Sequence, residues 1–290
     1  MKTKFVLLTA AMVLIIAFAA PALARSKGSR IEVRYVVPKN PTHQPIYERL
    51  KEQGVLERLQ EFLSPFRLPR TLRVSLMGCD GEADASYLDD AITICYEYID
   101  ELWKRMPAET TAAGIMPIDT VVGPFFDTSL HEFAHALFDM LDMPVLGREE
   151  DAADQVAAYI YLQLGSAQAR RLITGTAYAY IAENGAAPLS LKQFADDHAP
   201  PVQRAYNLLC IAYGADSTLF GDFVTKGYLP KKRAGGCNNE YGQVADAFET
   251  LISPHIDTAR AKKVLDRSWL PEPSTRVQRR PGSAHPDAQQ

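Results

Sequence analysis

Residues 131–135 read His-Glu-Phe-Ala-His, so two histidines stand four positions apart with a glutamate beside the first. On a helix, residues four apart lie on the same face, so both imidazoles would project toward one point. The apolar residues around the motif recur at helical spacing, which predicts a largely buried helix. They are Leu130, Phe133, Ala134, Leu137 and Phe138. The fold must therefore accommodate a core helix that carries two imidazoles and a carboxylate.

Such a pair of histidines is suited to a metal ion. Two imidazoles one helical turn apart can bind a single Zn2+ through bonds of about 2.0–2.1 Å each. Glu132 would project beside them, where a carboxylate can take a proton from metal-bound water. The alternative is an exposed helix that carries these residues by chance, but the apolar flanks of the motif argue against exposure. The motif predicts His131 and His135 as zinc ligands and Glu132 as the catalytic base.

The third ligand is expected on the next helix. No histidine follows the motif until His198, which excludes a third histidine in an extension of the same helix. Residues 143–147 turn the chain, and the acidic segment after them opens a second helix. Glu150 and Asp154 share one face there, so we expect Glu150 to bind the metal and Asp154 to accept the other ring N–H of a ligand histidine. Glu149 is the fallback ligand. In the alternative interpretation these acids only complement the helix dipole.

Hydrophobic patterning predicts strands near the N-terminus and helices after them. Alternating and β-branched residues predict strands at 31–37, 72–77 and 91–95, the last two pairing as a hairpin. Residues 107–122 are predicted to be a long connection. Helices are predicted at 46–63 (weakened at Gly54), 96–106, 126–142, 148–164, 166–183, 201–213, 215–226 and 238–252. The predicted fold class is α+β, with a small N-terminal β-sheet followed by a mainly helical bundle that carries the His-Glu-x-x-His helix.

The first 24 residues have the layout of a secretory signal peptide. Two lysines precede an uncharged apolar run over residues 5–20, and Ala22-Leu23-Ala24 supplies the small residues of a cleavage site. The run is shorter than the roughly 20 residues of a spanning helix, which favours cleavage after Ala24 over retention as an anchor. We therefore expect export to the periplasm or beyond, and no stable membrane span after cleavage.

The remaining chain is expected to form one metallopeptidase-like domain over residues 25–256. Residues 257–290 are expected to contain a helix remnant and a disordered tail, because the end of the chain is rich in proline and poor in apolar residues. Hydrophobic residues make up 47% of the chain, enough to bury a core. The net charge of -4 leaves no broad cationic face, so nucleic acid is not an expected partner.

The four cysteines are expected to form disulfides, because export leads to an oxidising compartment. Three pairings are possible. We favour Cys79–Cys95 and Cys210–Cys237, since each pair lies within one local segment. No Cys-x-x-Cys spacing occurs, so a thiolate zinc site has no support.

A peptidase also needs a hydrogen-bond donor for the oxyanion that forms during hydrolysis. The candidates are Tyr159, Tyr161, Tyr213, Arg233 and Tyr241, and the two tyrosines beside the second expected disulfide, Tyr213 and Tyr241, would be held rigidly. A buried structural aromatic remains the alternative for each tyrosine. The histidines outside the motif are expected on the surface: His43, His198, His255 and His285.

His-Glu-x-x-His followed by Glu-x-x-x-Asp on a second helix resembles the gluzincin zinc metallopeptidases. Over about residues 35–255 the chain resembles more closely a bacterial metallopeptidase family, domain of unknown function 4344. The matching segments are Ile94–Glu97, Glu150–Asp154, Asn207–Cys210, Tyr213–Gly214, Leu229–Pro230, Arg233, Cys237 and Glu240–Tyr241. The resemblance implies a zincin fold, ligands His131, His135 and Glu150, the base Glu132, and Asp154 as the partner of His131.

Three hypotheses about function follow. The first is an exported zinc-dependent metallopeptidase that hydrolyses peptide bonds of a peptide or protein substrate. The second is a zinc-stabilised binding or scaffold protein with a structural or degenerate site, although such a site has no need for Glu132. The third is hydrolysis of a non-peptide amide, which would use the same water-activating residues.

Overall fold

The computed structural model describes residues 30–185 and 188–272. Within them the chain forms a four-stranded N-terminal sheet followed by a mainly helical region, the α+β arrangement that the sequence predicts. The predicted signal peptide and the tail beyond residue 272 lie outside the described residues. No helix in the two described ranges is long and apolar enough to cross a lipid bilayer.

The sheet has the strand order β1-β2-β4-β3. The strands are β1 (Ile31–Tyr35), β2 (Leu72–Met77), β3 (Ala85–Leu88) and β4 (Ala91–Cys95). The predicted hairpin between β2 and β4 is wrong, because these two strands are parallel. The chain after β2 crosses to the far edge, forms β3 and returns as β4, antiparallel to β3. Asp89 and Asp90 make that turn with φ values of 48° and 60°, the left-handed conformation that a two-residue hairpin turn requires.

Helices make up most of the chain after β4. The helices are α1 (Gln44–Glu52), α2 (Val55–Leu63), α3 (Tyr96–Arg105), α4 (Asp119–Met140), α5 (Glu149–Leu162), α6 (Ser166–Asn184), α7 (Pro201–Ala215), α8 (Asp222–Thr225), α9 (Lys231–Ala234), α10 (Cys237–Leu251) and α11 (Thr258–Leu265).

Three of the predicted helical boundaries are corrected. The segment 46–63 is two helices, because Gly54 has a φ of 58° and interrupts the helical backbone. The predicted helix 215–226 is mostly turn, with α8 alone helical. The predicted connection 107–122 ends earlier than expected, since α4 begins at Asp119. The remaining helices lie close to their predicted positions.

Helix α4 is the centre of the molecule. It packs against α5, α6, α3 and strands β3 and β4, and most of its residues are buried. Its contact with α6 is close because each of the two helices places a glycine at the contact. A Cβ added at Gly175 of α6 would lie 2.0 Å from the backbone oxygen of Asp119, and one at Gly123 would lie 2.9 Å from the backbone nitrogen of Thr176. This close packing holds the helix with residues 131–135 in place on several sides.

Two disulfides join neighbouring elements. Cys79 is bonded to Cys95, which ties the segment after β2 to the end of β4. Cys210 of α7 is bonded to Cys237 at the start of α10. These are the pairings favoured from the sequence, and the described residues contain no free cysteine.

Candidate metal centre

The turn between α4 and α5 brings the two halves of the site together. Asp142 and Gly147 have φ values of 49° and 94° within this turn, so the chain reverses over a few residues. Glycine has no Cβ and adopts the second value without strain. Helix α5 therefore runs back along α4, and its acidic first turn faces the histidines of residues 131–135.

Three donor atoms converge between these helices. Nε2 of His131 lies 3.1 Å from Nε2 of His135, and Oε2 of Glu150 lies 2.9 Å from the first nitrogen and 3.3 Å from the second. Four-coordinate Zn2+ with bonds of about 2.0–2.1 Å holds neighbouring ligand atoms about 3.3–3.4 Å apart. The three atoms are thus close to the spacing of ligands around one ion, and two imidazoles with a carboxylate form a donor set that zinc accepts. These residues fit a metal ion.

Each histidine is held from behind by its own carboxylate. Nδ1 of His131 lies 2.8 Å from Oδ1 of Asp154, and Nδ1 of His135 lies 2.7 Å from Oε1 of Glu149. An ionised carboxylate can only accept, so both Nδ1 atoms donate. In the neutral rings this leaves a lone pair on each Nε2, directed at the shared point. Asp154 occupies its predicted position, and Glu149 holds a ligand histidine rather than the metal position itself.

The electrostatics of the site favour positive charge. Burial opposes protonation of His131, but hydrogen bonds to Asp154 and Glu150 outweigh it and raise the pKa of His131 to about 10. The pKa of His135 is also raised, since hydrogen bonds to Glu150 and Glu149 outweigh its burial. Hydrogen bonds from the histidines hold the pKa of Glu150 far below its usual range. A bound divalent cation would replace the protons that the imidazoles of His131 and His135 otherwise direct at Glu150.

Glu132 is buried beside this cluster, with 6% of its surface exposed. Burial raises the pKa of its carboxyl, the charge of Glu150 raises it further, and His131 and His135 oppose the shift. Among the described residues none donates a hydrogen bond to this carboxylate. The carboxylate oxygens are not among the buried, unpartnered side-chain atoms of the described residues, so solvent reaches them and the carboxylate is free to accept a proton.

His198 is exposed, as the sequence predicts, and it also contacts the candidate site, which the sequence does not predict. Its Nε2 lies 2.8 Å from Oε2 of Glu150, and its ring stacks on that of His131 with 5.5 Å between centroids. The side chain is 45% exposed, so it stands between the cluster and solvent. Arg148 anchors its loop through the carbonyl oxygens of residues 196 and 197. No periodic pattern surrounds His198, so only its tertiary position reveals it.

The expected oxyanion donors have the following surroundings. Arg233 donates to Sγ of Cys210 and pairs with Glu240, which places it at the second disulfide. Tyr241 stacks on Tyr159 with 6.0 Å between ring centroids. Tyr213 is half-buried on α7 and packs against the core, and Tyr161 is buried with its hydroxyl on Asp127. His43 is also buried rather than on the surface, 3.9 Å from Glu97.

The fold and the site define a class, namely an α+β protein with a candidate metal site of two histidines and one carboxylate on adjoining helices. The chain belongs to the family DUF4344, described as "Putative metallopeptidase", whose model matches residues 35–252. That match spans strands β2, β3 and β4 and both helices of the site, and it confirms the resemblance seen in the sequence. No curated protein and no solved structure matches the chain.

Proposed function

We propose that this protein is an exported zinc-dependent peptidase that hydrolyses peptide bonds, with Glu132 as general base. The observation that carries the proposal is the buried, donor-free carboxylate of Glu132 beside the converging atoms of His131, His135 and Glu150. A metal site that served only as scaffold would gain nothing from this carboxylate. A peptidase needs it, because a base near the metal must move a proton between water and the leaving amine.

In the proposed mechanism, the metal is held by His131, His135 and Glu150. When bound, Zn2+ lowers the pKa of a coordinated water toward about 7 and polarises a carbonyl oxygen. Glu132 accepts the proton of the attacking water and passes it to the departing amine. Asp154 and Glu149 keep the two imidazoles in the tautomer that presents Nε2 to the metal.

We assign the oxyanion donor to His198 rather than to Tyr213, Arg233 or Tyr241. The Nε2 of His198 lies 2.8 Å from Oε2 of Glu150, and its ring is 45% exposed, so its Nε2–H group stands where solvent reaches the cluster. A donor placed there can hydrogen-bond the carbonyl oxygen as it gains negative charge. Export fits the two disulfides, which persist in oxidising compartments.

The proposal is tested with purified protein lacking residues 1–24. We expect one zinc ion per chain and hydrolysis of a mixed peptide library, read by mass spectrometry. Glu132→Gln should keep the zinc and lose about 10²–10⁴-fold in rate, as expected for a removed general base. His135→Ala should lose both zinc and activity. Full zinc retention by His135→Ala would refute the site, and full activity of Glu132→Gln would refute the mechanism.

A further inference from the structure

We propose that Arg204 is a positioning residue of the metal centre, which acts by fixing the carboxylate of Asp154 behind His131. The inference rests on the proposed function, because it concerns the same metal site. Arg204 lies on α7, away in sequence from α4 and α5, and nothing in the sequence motif points to it.

Arg204 holds Asp154 with two hydrogen bonds. Its Nε donates to Oδ2 at 2.8 Å, and a terminal nitrogen donates to Oδ1 at 2.6 Å. The same Oδ1 accepts from Nδ1 of His131 at 2.8 Å. A guanidinium that binds both oxygens fixes the plane of the carboxylate, which a point charge does not. The plane of Asp154 in turn fixes the direction in which the His131 ring presents Nε2.

A largely buried network keeps Arg204 itself in place. Its guanidinium lies 4.6 Å from the centre of the Tyr180 ring, and the Tyr180 hydroxyl donates to Oδ2 of Asp127 at 2.7 Å. Tyr161 donates to the other oxygen of Asp127 at 2.9 Å. The network joins four helices, α4 through α7, behind the metal site. Buried groups connected in this way hold each other rigidly, since each is satisfied by the others.

The charges explain why an arginine is needed here. Asp127 and Asp154 are two acidic groups near each other in the interior, and their charges repel. The guanidinium of Arg204 hydrogen-bonds to Asp154, and its positive charge lies near Asp127. Removing it would leave Asp154 with His131 as its partner, so the carboxylate would lose one of the two groups that set its orientation.

The chain supplies a matched control in Arg171 and Asp119. This pair is also bidentate, with N–O distances of 2.7–3.2 Å, and it joins two neighbouring helices, α6 and α4, as the Arg204 pair joins α7 and α5. The arginine side chains are similarly exposed, 19% for Arg171 and 17% for Arg204. Asp119 is the first residue of α4, about three turns before His131, so its pair shares the chemistry without reaching the metal site.

The test measures metal affinity rather than activity. Variants Arg204→Lys, Arg204→Met, Arg171→Lys and Arg171→Met are titrated with Zn2+ against a chelator, and the visible spectrum of each Co2+ complex is recorded. We expect about 10-fold or more weakening for both Arg204 variants, with an altered Co2+ spectrum. Both Arg171 variants should keep the affinity and spectrum of the unaltered protein. Arg204→Lys retains the charge and keeps the test valid if Arg204→Met does not fold.

A second test asks whether Arg204 acts through Asp154. Asp154→Asn alone should weaken zinc binding by about 10–100-fold, and adding Arg204→Lys should weaken it little more, because both changes disturb one contact. Unchanged zinc affinity in folded Arg204→Lys, or equal losses of zinc affinity in the Arg171 variants, would overturn this inference and leave the proposed function standing. If the unaltered protein bound no divalent metal, the proposed function would fail first and the inference with it.

Discussion

At the scale of single residues, the two metal-facing histidines are supported unequally. Asp154 behind His131 has 22% of its side chain exposed and is shared with Arg204, whereas Glu149 behind His135 is 54% exposed. A charge-assisted hydrogen bond is stronger when water does not compete for it. His131 is therefore the more firmly oriented of the two proposed ligands, and His135, nearer the turn to α5, is the more adjustable one.

His198→Ala is the residue-scale prediction. If His198 donates to the developing oxyanion, the variant should lose about 10²–10³-fold in kcat while its zinc affinity changes little. His198→Gln retains an N–H donor and should recover part of the rate. Kinetics and zinc titration on the same preparations measure both quantities, with His255→Ala as the control. A loss of zinc in parallel with activity would instead make His198 a support of Glu150.

At the scale of elements, the contact of α4 with α6 determines where the site helix lies. Gly175 is required there because an added Cβ would meet the Asp119 backbone oxygen at 2.0 Å, and backbone cannot move aside as a flexible side chain can. Gly242 within α10 has nothing within 4 Å of the same added atom. The backbone contact at Gly175 thus excludes a Cβ, whereas the open space at Gly242 allows one.

We therefore predict opposite effects of one substitution at these two glycines. Gly175→Ala should lower the free energy of unfolding by about 3 kcal/mol, since the helices must separate. Gly242→Ala should raise it by about 0.5–1 kcal/mol, because alanine restricts the unfolded chain and favours the helix. Urea denaturation of both variants measures the difference. Equal stability of Gly175→Ala and the unaltered protein would show that α4 and α6 can move apart.

The sequence predicts secondary structure and site residues well where the local residue pattern determines them. Residues 131–135 and 149–154 carry their own helical pattern and ligand chemistry, so the core of the candidate site could be anticipated. Strand β3 was missed because four residues with one exposed face leave little pattern, and its Asp-Asp turn lacks the glycine typical of hairpins. His198 and Arg204 were missed because loop folding and the packing of α7 bring them to the site, and neither has a local signature.

At the scale of the whole molecule, metal binding should be linked to stability. A ligand that binds only the folded chain stabilises it by about 4.1 kcal/mol at 1,000 times its Kd. For a domain of this size that corresponds to a rise in Tm of about 8–16 °C. We expect this rise on adding Zn2+ to the unaltered protein and to Glu132→Gln, but not to His135→Ala. Calorimetry with and without Zn2+ checks the prediction, and a rise in His135→Ala would indicate binding elsewhere.

The turn between α4 and α5 has a consequence for the order of assembly. His131, His135, Glu149, Glu150 and Asp154 all belong to one helical hairpin, so the ligands and their immediate supports meet through short-range contacts. Local contacts form early, because little loop entropy opposes them. Arg204 and His198 arrive later, with the segment that leads into α7. In the proposed mechanism the residues that bind the metal would thus come together before the proposed oxyanion donor, so the metal could be loaded before hydrolysis begins.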